Sequence, residues 1–570
     1  MEKARLTPAP NRIETGLRGL ATPGEVRQLA RLSYAIFLGM FLTGAALAQA
    51  PIHPAQAPIQ LTIDAAAPEY AIPTDFVGLG FETKSVVPDE YGVRGYFFSP
   101  ENSQLITLFR NIGIKEIRVG GGTDDGSGRD EHCVTPIPTF KDIDNLFEFA
   151  RAAEIKVIYS VRLENLAACP NPRLAQDDAR IVQYIWKKYR ANVDSFSIGN
   201  EPDVSQYHSR PGATLDPAIY ETRPGVPGSA YPSYFADWRH FAEVIRKAVP
   251  DAKFSGPDTA VSSKSSFTPD PQNGVSWTVA FAKDLQGTGM LAEALQHHYV
   301  WGGPRNTTAE EAIDDMLASA WDDGTEIGKQ RAYNGGTAEF HPYPYVYNTV
   351  LAPLVAMGVP YRMTEANDCL HGVYGASDGF VAALWALDYM HWWAAHHMAG
   401  VNFHNNPWIP TDTIVPDPNP CGSAGCRNYR TTAKGYGMRA FALGSHGYVE
   451  PIEIENPNKI NLTAYAVGTD KDQYVTIINK THSTTHDVSD AEVSIQMKGF
   501  RAGEASTMVL TDGEPGNAAL MNATLGGATI SNDAPWEGKW APIAAAEDGV
   551  IHLTVQSTTA VVVRIHAAQH

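Results

Sequence analysis

The spacing of hydrophobic positions changes twice along the chain. Residues 59–64, Ile-Gln-Leu-Thr-Ile-Asp, alternate apolar and polar with the period of a half-buried strand. Short apolar runs then recur at 76–81, 115–119, 155–161, 193–198, 252–256, 294–300, 360–364 and 400–404. Most are separated by segments whose apolar residues fall three to four apart, clearest at 139–153 and 174–190. Helices are also expected at 232–248 and 377–398, opened by Pro232 and by Ser377-Asp378. Eight strands alternating with helices over about 370 residues predict an α/β fold, a (β/α)8 TIM barrel. A doubly wound open sheet shares the alternation, but it would carry a glycine-rich phosphate loop after its first strand, and none is present.

After residue 446 the helical spacing stops. Strands are predicted at 460–466, 472–479, 491–496, 550–555 and 559–566, divided by Gly, Asn, Asp and Thr turns. This reads as a C-terminal antiparallel β-sandwich. The strand at 59–64 has no helix behind it and is expected to join that sandwich. The predicted organisation is a leader at 1–50, a linker and strand at 51–75, a barrel at 76–446 and a sandwich at 447–570.

The leader has the form of a Sec-type signal peptide. Arg27 and Arg31 precede an apolar run from Tyr34 to Leu47, and small-x-small cleavage patterns end at Ala48 and Ala50. The run is shorter than a bilayer span usually needs, so we expect a secreted or periplasmic protein with no stable membrane insertion after cleavage. Five cysteines fit an exported chain; Cys421 with Cys426 and Cys133 with Cys169 could pair, leaving Cys369 as a structural residue. A net charge of −19 disfavours nucleic acid as a partner.

Chemistry concentrates at the ends of the predicted strands. Strand four runs into Ser197-Ile-Gly-Asn-Glu-Pro-Asp and strand seven into Thr364-Glu-Ala-Asn. Pro202 is expected to hold Glu201 extended at the mouth of the sheet. Two glutamates on two strand ends of a parallel barrel meet over its C-terminal face. Paired carboxylates are what glycoside hydrolysis requires: one protonates the leaving oxygen, and the other attacks the anomeric carbon or activates water. Glu82 follows strand one, Arg118 lies in strand two, His297-His298-Tyr299 ends strand six, and Asn402-Phe-His-Asn-Asn ends strand eight. On this reading every polar cluster falls at the same end of the barrel. His391, His396, His397 and His404 form no His-Glu-x-x-His pattern and are read as packing or surface residues; no metal or cofactor is expected.

The Ser-Ile-Gly-Asn-Glu-Pro-Asp motif, the His-His-Tyr and the Thr-Glu-Ala-Asn followed by Ser-Asp-Gly-Phe resemble glycoside hydrolase family 79 over about residues 59–570. That family holds bacterial and fungal β-glucuronidases and heparanase, retaining enzymes on a (β/α)8 barrel. The resemblance implies a carbohydrate substrate, Glu201 as acid/base and Glu365 as nucleophile. It places Asn200 on the sugar 2-hydroxyl and Arg118 and Tyr299 beside Glu365, where a cation and a phenol keep a carboxylate ionised. Glu82 would accept from sugar hydroxyls farther from the scissile bond. Glu201 needs a raised pKa, which a second carboxylate nearby can supply. Glucuronidases of the family read the sugar carboxylate with tyrosine hydroxyls where this chain offers Leu370 and Phe403; His371 and Tyr374 are the expected substitutes. The leading expectation is a β-glucuronidase. A retaining enzyme on a neutral β-hexoside, an endo-β-glucuronidase, and a carbohydrate-binding barrel without activity are the alternatives.

Overall fold

The computed structural model describes residues 57–88, 95–125, 137–163, 174–203, 231–260, 276–302, 307–318, 339–340, 343–405, 410–417, 428–485, 488–544 and 549–568. The expected leader and the cysteines at 133, 169, 421 and 426 lie outside these residues.

Eight parallel strands close into a barrel in chain order: Val77–Glu82, Glu116–Gly120, Lys156–Val161, Val193–Ile198, Phe254–Thr259, Leu291–Gly302, Tyr361–Cys369 and Gly400–His404, hereafter strands one to eight. Strand eight returns to strand one with Val401 opposite Val77. The expected (β/α)8 barrel is therefore the fold, and its strands match the apolar runs to within a few residues. Two run three or more residues past the end that the sequence reading gave them. Strand five continues through Pro257 and Asp258 to Thr259. Strand seven runs four residues beyond Glu365, with Asn367, Asp368 and Cys369 all buried. It can, because the polar side chains find partners: Asn367 donates to the His404 carbonyl and accepts from Lys434, and Asp368 accepts from Ser377.

Helices Phe140–Ala153 and Leu174–Tyr189 form where the three-to-four spacing placed them, and Tyr231–Ala248 where Pro232 marked an opening. The first opens with a capping box between Thr139 and Asp142. The expected start at Ser377-Asp378 is corrected. There the side chains close a turn, Ser377 accepting from the Val373 amide and Asp378 from the Gly375 amide, and the helix begins at Val381. That helix, Val381–Ala395, is buried on every side, as a helix apolar all round must be. It crosses helix Ala433–Gly444 at Gly437, where a Cβ would stand 2.1 Å from the Ala383 carbonyl oxygen.

The two helices form the seat for two C-terminal sheets. The larger runs Tyr448–Glu450, Leu462–Gly468, Asp472–Asn479, Thr559–Ala567, Ala502–Thr511 and Thr524–Leu525. The smaller holds Ile452–Glu455, Ile59–Asp64, Ala491–Lys498 and Ile551–Val555. The N-terminal strand is thus an inner strand of the smaller sheet, antiparallel to Ile452–Glu455 but parallel to Ala491–Lys498. Strand Ala502–Thr511 was missed in the sequence; it opens on small and polar residues, and its register slips between Ala502 and Ala505. Alternation does the layering. Val561, Val563 and Ile565 face the smaller sheet, whereas Ala560 and Val562 join the core shared with the barrel helices.

Asp388 ties the layers together. It projects from helix Val381–Ala395 to accept from Thr463, Tyr465 and Lys480 of the sandwich, the lysine at 3.2 Å and almost wholly buried. Removing one partner of a buried ion pair strands the other's charge. Asp388→Ala is expected to lower unfolding stability by about 3–5 kcal/mol in urea denaturation. The paired change Asp388→Leu with Lys480→Met should recover most of that loss, and no recovery would mean the charges are not what couples the layers.

Candidate active site

The barrel's C-terminal face gathers ionisable side chains from seven of its strands or their ends. Glu365, on strand seven, is buried. Its Oε2 accepts from the Arg118 guanidinium of strand two at 3.1 Å, and its Oε1 accepts from the Tyr299 hydroxyl of strand six at 2.7 Å. His297 Nδ1 and His404 Nδ1 each lie 3.8 Å from Oε2. Burial alone would push the carboxyl's pKa up; His404, His297, Arg118 and the Tyr299 hydroxyl outweigh it and hold the pKa well below the ordinary carboxylate range.

Glu201 stands just past strand four, half-buried, with Oε1 2.9 Å from His297 Nδ1. Its backbone is not extended as the following proline led us to expect. Its φ is +44°, in the left-handed region, and its amide donates to the Asp258 carbonyl. That bond and the turn at Gly199, φ +82°, outweigh the proline's preference. One oxygen of Glu201, one of Glu365 and one ring nitrogen of His297 lie within 4.8 Å of one another. Three such atoms could ligate an ion, but both Glu365 oxygens are already engaged, one by Arg118 and the other by Tyr299.

Arg118 also donates to Asn200 Oδ1 at 2.7 Å and lies 3.5 Å from Asp258. Asn200 is fixed from its backbone too, its amide donating to Asp125, which also accepts from the Leu163 amide. Glu82 accepts from the Thr123 amide and hydroxyl at 2.8 and 2.6 Å, and its Oε1 lies 3.7 Å from His404 Nε2. Gly121 makes room for this: its φ is +73°, and a Cβ there would stand 2.5 Å from the Glu82 carboxyl carbon.

The structure thus brings Glu82, Arg118, Asn200, Glu201, Tyr299 and Glu365 together. It leaves His371 and Tyr374 exposed on the loop after strand seven, Tyr374 at 72%. Phe403 does not face this cluster. It packs outward against Trp385 and Tyr389, because alternate residues of strand eight face the barrel interior and Phe403 falls between two that do. One of those is His404, which is corrected from a packing residue to a member of the site. The other histidines do pack: His391 stacks on Tyr465, His396 on Trp392, and His397 against Tyr70. Asn402 belongs elsewhere. It donates to Glu116 in a second buried cluster, where Arg362 meets Glu116 at 2.9 Å and Glu293 at 2.8 Å. These residues lie early in strands two, six and seven, so the polar clusters do not all share one end; inward-facing side chains fill the barrel in successive layers.

Two residues went without a role in the sequence reading. Asp258, at φ +58° on strand five, accepts from Ser197, Thr364 and His297. Burial would raise its pKa, but Arg118 and His297 hold it well below the usual range. His297 is wholly buried; burial would strip its proton, yet Glu365, Asp258 and Glu201 together raise its pKa to about 10. The signal for His297 was present in the His-His-Tyr at the end of strand six. Asp258 was hidden because the apolar run read at 252–256 stops two residues before it.

No protein-family model matches the chain, and no curated protein matches it. Solved structures do. A 4-O-α-L-rhamnosyl-β-D-glucuronidase from Fusarium oxysporum, in complex with Rha-GlcA, is 15% identical with a TM-score of 0.58, covering 88% of this chain and 99% of its own. A family 51 arabinofuranosidase from Xanthomonas axonopodis pv. citri is 13% identical with a TM-score of 0.55, covering 89% and 100%. A family 44 xyloglucanase from Paenibacillus polymyxa is 12% identical with a TM-score of 0.54, covering 90% and 100%. At such identities the likeness is one of fold: this chain has the architecture of solved (β/α)8 glycoside hydrolases.

Unfolded histidine titrates near 6.5. With a folded value of about 10, His297 makes folding take up a proton between those two values. Its stabilisation is complete below about pH 6.5 and is lost as pH rises through 10. The unfolding free energy of the unmodified protein minus that of His297→Gln should fall across pH 7 to 9.5, with a limiting slope of about 1.4 kcal/mol per pH unit. Chemical denaturation at a series of pH values measures it; a flat difference would mean His297 is not charged in the fold.

Proposed function

We propose that the protein is an exported retaining exo-β-glycosidase of the family 79 type, cleaving terminal β-D-glucuronosyl residues by double displacement. The observation that carries this reading is the pair Glu201 and Glu365, with oxygens within 4.8 Å and Glu365 held ionised. Retaining enzymes separate their carboxyls by about 5–5.5 Å, whereas inverting enzymes leave about 6.5–9.5 Å for a water. Glu365 attacks the anomeric carbon. Glu201 protonates the departing oxygen and then draws a proton from the water that hydrolyses the glycosyl-enzyme.

The remaining roles follow from position. With its carbonyl oxygen taken by Arg118, Asn200 offers its amide hydrogens to the sugar 2-hydroxyl. Glu82, fixed by Thr123, keeps an oxygen for hydroxyls away from the scissile bond. The uronic acid preference is supported by the motif resemblance and by the cationic and imidazole groups on this face. His404 joins His371 and Tyr374 as a group able to meet the sugar carboxylate. One structural neighbour is a 4-O-α-L-rhamnosyl-β-D-glucuronidase, which agrees with this choice of sugar.

A panel of nitrophenyl β-glycosides tests the function. The glucuronide should be cleaved far faster than the glucoside or galactoside, in EDTA as in buffer. Equal or faster cleavage of a neutral sugar would replace the substrate and keep the mechanism; loss of activity in EDTA would favour the ion reading of Glu201, His297 and Glu365. Glu365→Gln should lower turnover by about 10⁴-fold or more. Glu201→Ala should still release nitrophenol in the first step, accumulate the glycosyl-enzyme because the second step slows, and be rescued by azide as the β-azide. An α-azide product would mean the two glutamates are assigned the wrong way round.

A further inference from the structure

Asp258 is wholly buried, and both of its carboxylate oxygens are engaged. Oδ1 accepts from the Thr364 hydroxyl and faces His297 Nε2 at 3.3 Å; Oδ2 accepts from Ser197 and faces Arg118 at 3.5 Å. It thus meets groups from strands two, four, six and seven while itself belonging to strand five. An imidazole has two nitrogens, and the partner of one decides what the other presents. With Nε2–H directed at a carboxylate, Nδ1 is left to face Glu201 Oε1 at 2.9 Å. The charged groups around His297 are Glu201 past strand four, Asp258 on strand five and Glu365 on strand seven, with Arg118 of strand two behind the last two.

We propose that Asp258 is a positioning residue for proton transfer: by accepting Nε2–H of His297 it turns Nδ1–H onto Oε1 of Glu201 and reserves Oε2 for the departing group. This rests on Glu201 being the acid/base. In the first step the glycosidic C–O bond breaks with its electron pair on the leaving oxygen. That oxygen takes the proton from Oε2 as Glu365 bonds to the anomeric carbon. In the second step the water oxygen bonds to the anomeric carbon and gives its proton to Oε2, while the glycosyl–Glu365 bond breaks with its electron pair returning to the Glu365 carboxylate. Throughout, His297 keeps both its protons and Oε1 stays engaged, so Glu201 cannot turn its proton away from the substrate.

Asp258→Asn in the full chain keeps the side chain's shape and removes its charge. Nitrogen NMR of protein labelled at histidine, assigned with His297→Gln, reads the imidazole without any substrate. Both ring nitrogens of His297 should be protonated at pH 7 in the unmodified protein. The titration of His297 should move down by at least about one pH unit in Asp258→Asn. With aryl β-glucuronides, Asp258→Asn should lose at least about tenfold more kcat/KM on the phenyl than on the dinitrophenyl substrate, because only the poor leaving group needs the proton. A neutral His297 in the unmodified protein, an unmoved titration, or equal loss on both leaving groups would overturn the proposal. If Asp258→Asn does not fold, Thr364→Val removes the other donor to Oδ1 and leaves Asp258 charged. His297 should then keep both protons and the leaving-group preference should stay unchanged; a lost proton would overturn the proposal. If the unmodified protein cleaves no glycoside, the glycosidase reading fails, while the imidazole spectrum still decides what Asp258 holds.

Discussion

The site depends on one buried guanidinium. Arg118 has no exposed surface, and it is tolerated there because Glu365, Asp258 and Asn200 surround it with acceptors from strands seven and five and the end of strand four. A charge taken out of water must be matched this closely or its desolvation is not offset. The match runs in both directions. Arg118 and His297 keep Glu365 and Asp258 ionised, and those carboxylates in turn keep His297 charged. A nucleophilic carboxylate held without its proton and an acid/base carboxyl a few ångströms away are what a double displacement requires. Buried electrostatics of this kind need no rearrangement when charge moves, which is how preorganised sites lower barriers.

The rest of the fold keeps that geometry rigid. The barrel fixes the strand ends, a second ion cluster around Arg362 braces its opposite end, and the sandwich presses on helices Val381–Ala395 and Ala433–Gly444 behind strands seven and eight. The loop between strand seven and its helix is held from several sides. Gly372 lies against Pro410 and Thr411, Ser377 bonds to Asp368, and the amides of Phe380 and Val381 donate to Leu520 and Ala518 in the loop between strands Ala502–Thr511 and Thr524–Leu525. The sandwich therefore reaches the segment that follows the proposed nucleophile.

Much of this was legible in the chain. Each of the eight barrel strands corresponds to an apolar run, because both faces of a parallel barrel strand are buried and the run is hard to mistake. Glu201 and Glu365 stood out as carboxylates where apolar runs stop. What was hidden has physical causes. The apolar run at 252–256 stops short of its strand's end, and Asp258 went with the remainder. Strand eight alternates, so Asn402 and His404 point into the barrel in different layers while Phe403 points out; a linear reading gave the whole cluster to one end of the barrel. The φ of +44° at Glu201 is imposed by the Asp258 carbonyl, a partner 57 positions away, which no local preference of Glu-Pro can anticipate. Strand Ala502–Thr511 escaped because its register slip breaks the period that marks a strand.

The central claim is that Glu365 becomes covalently bonded to the sugar. Incubation with a 2-deoxy-2-fluoro-β-glucuronosyl fluoride, followed by proteolysis and mass spectrometry, tests it directly: the fluorine slows both steps, while the good leaving group lets the first proceed. The account predicts a single glycosyl adduct on the peptide containing Glu365, absent from Glu365→Gln. An adduct on Glu201, or no adduct together with a first-formed sugar of inverted anomeric configuration from an ordinary substrate, would contradict it.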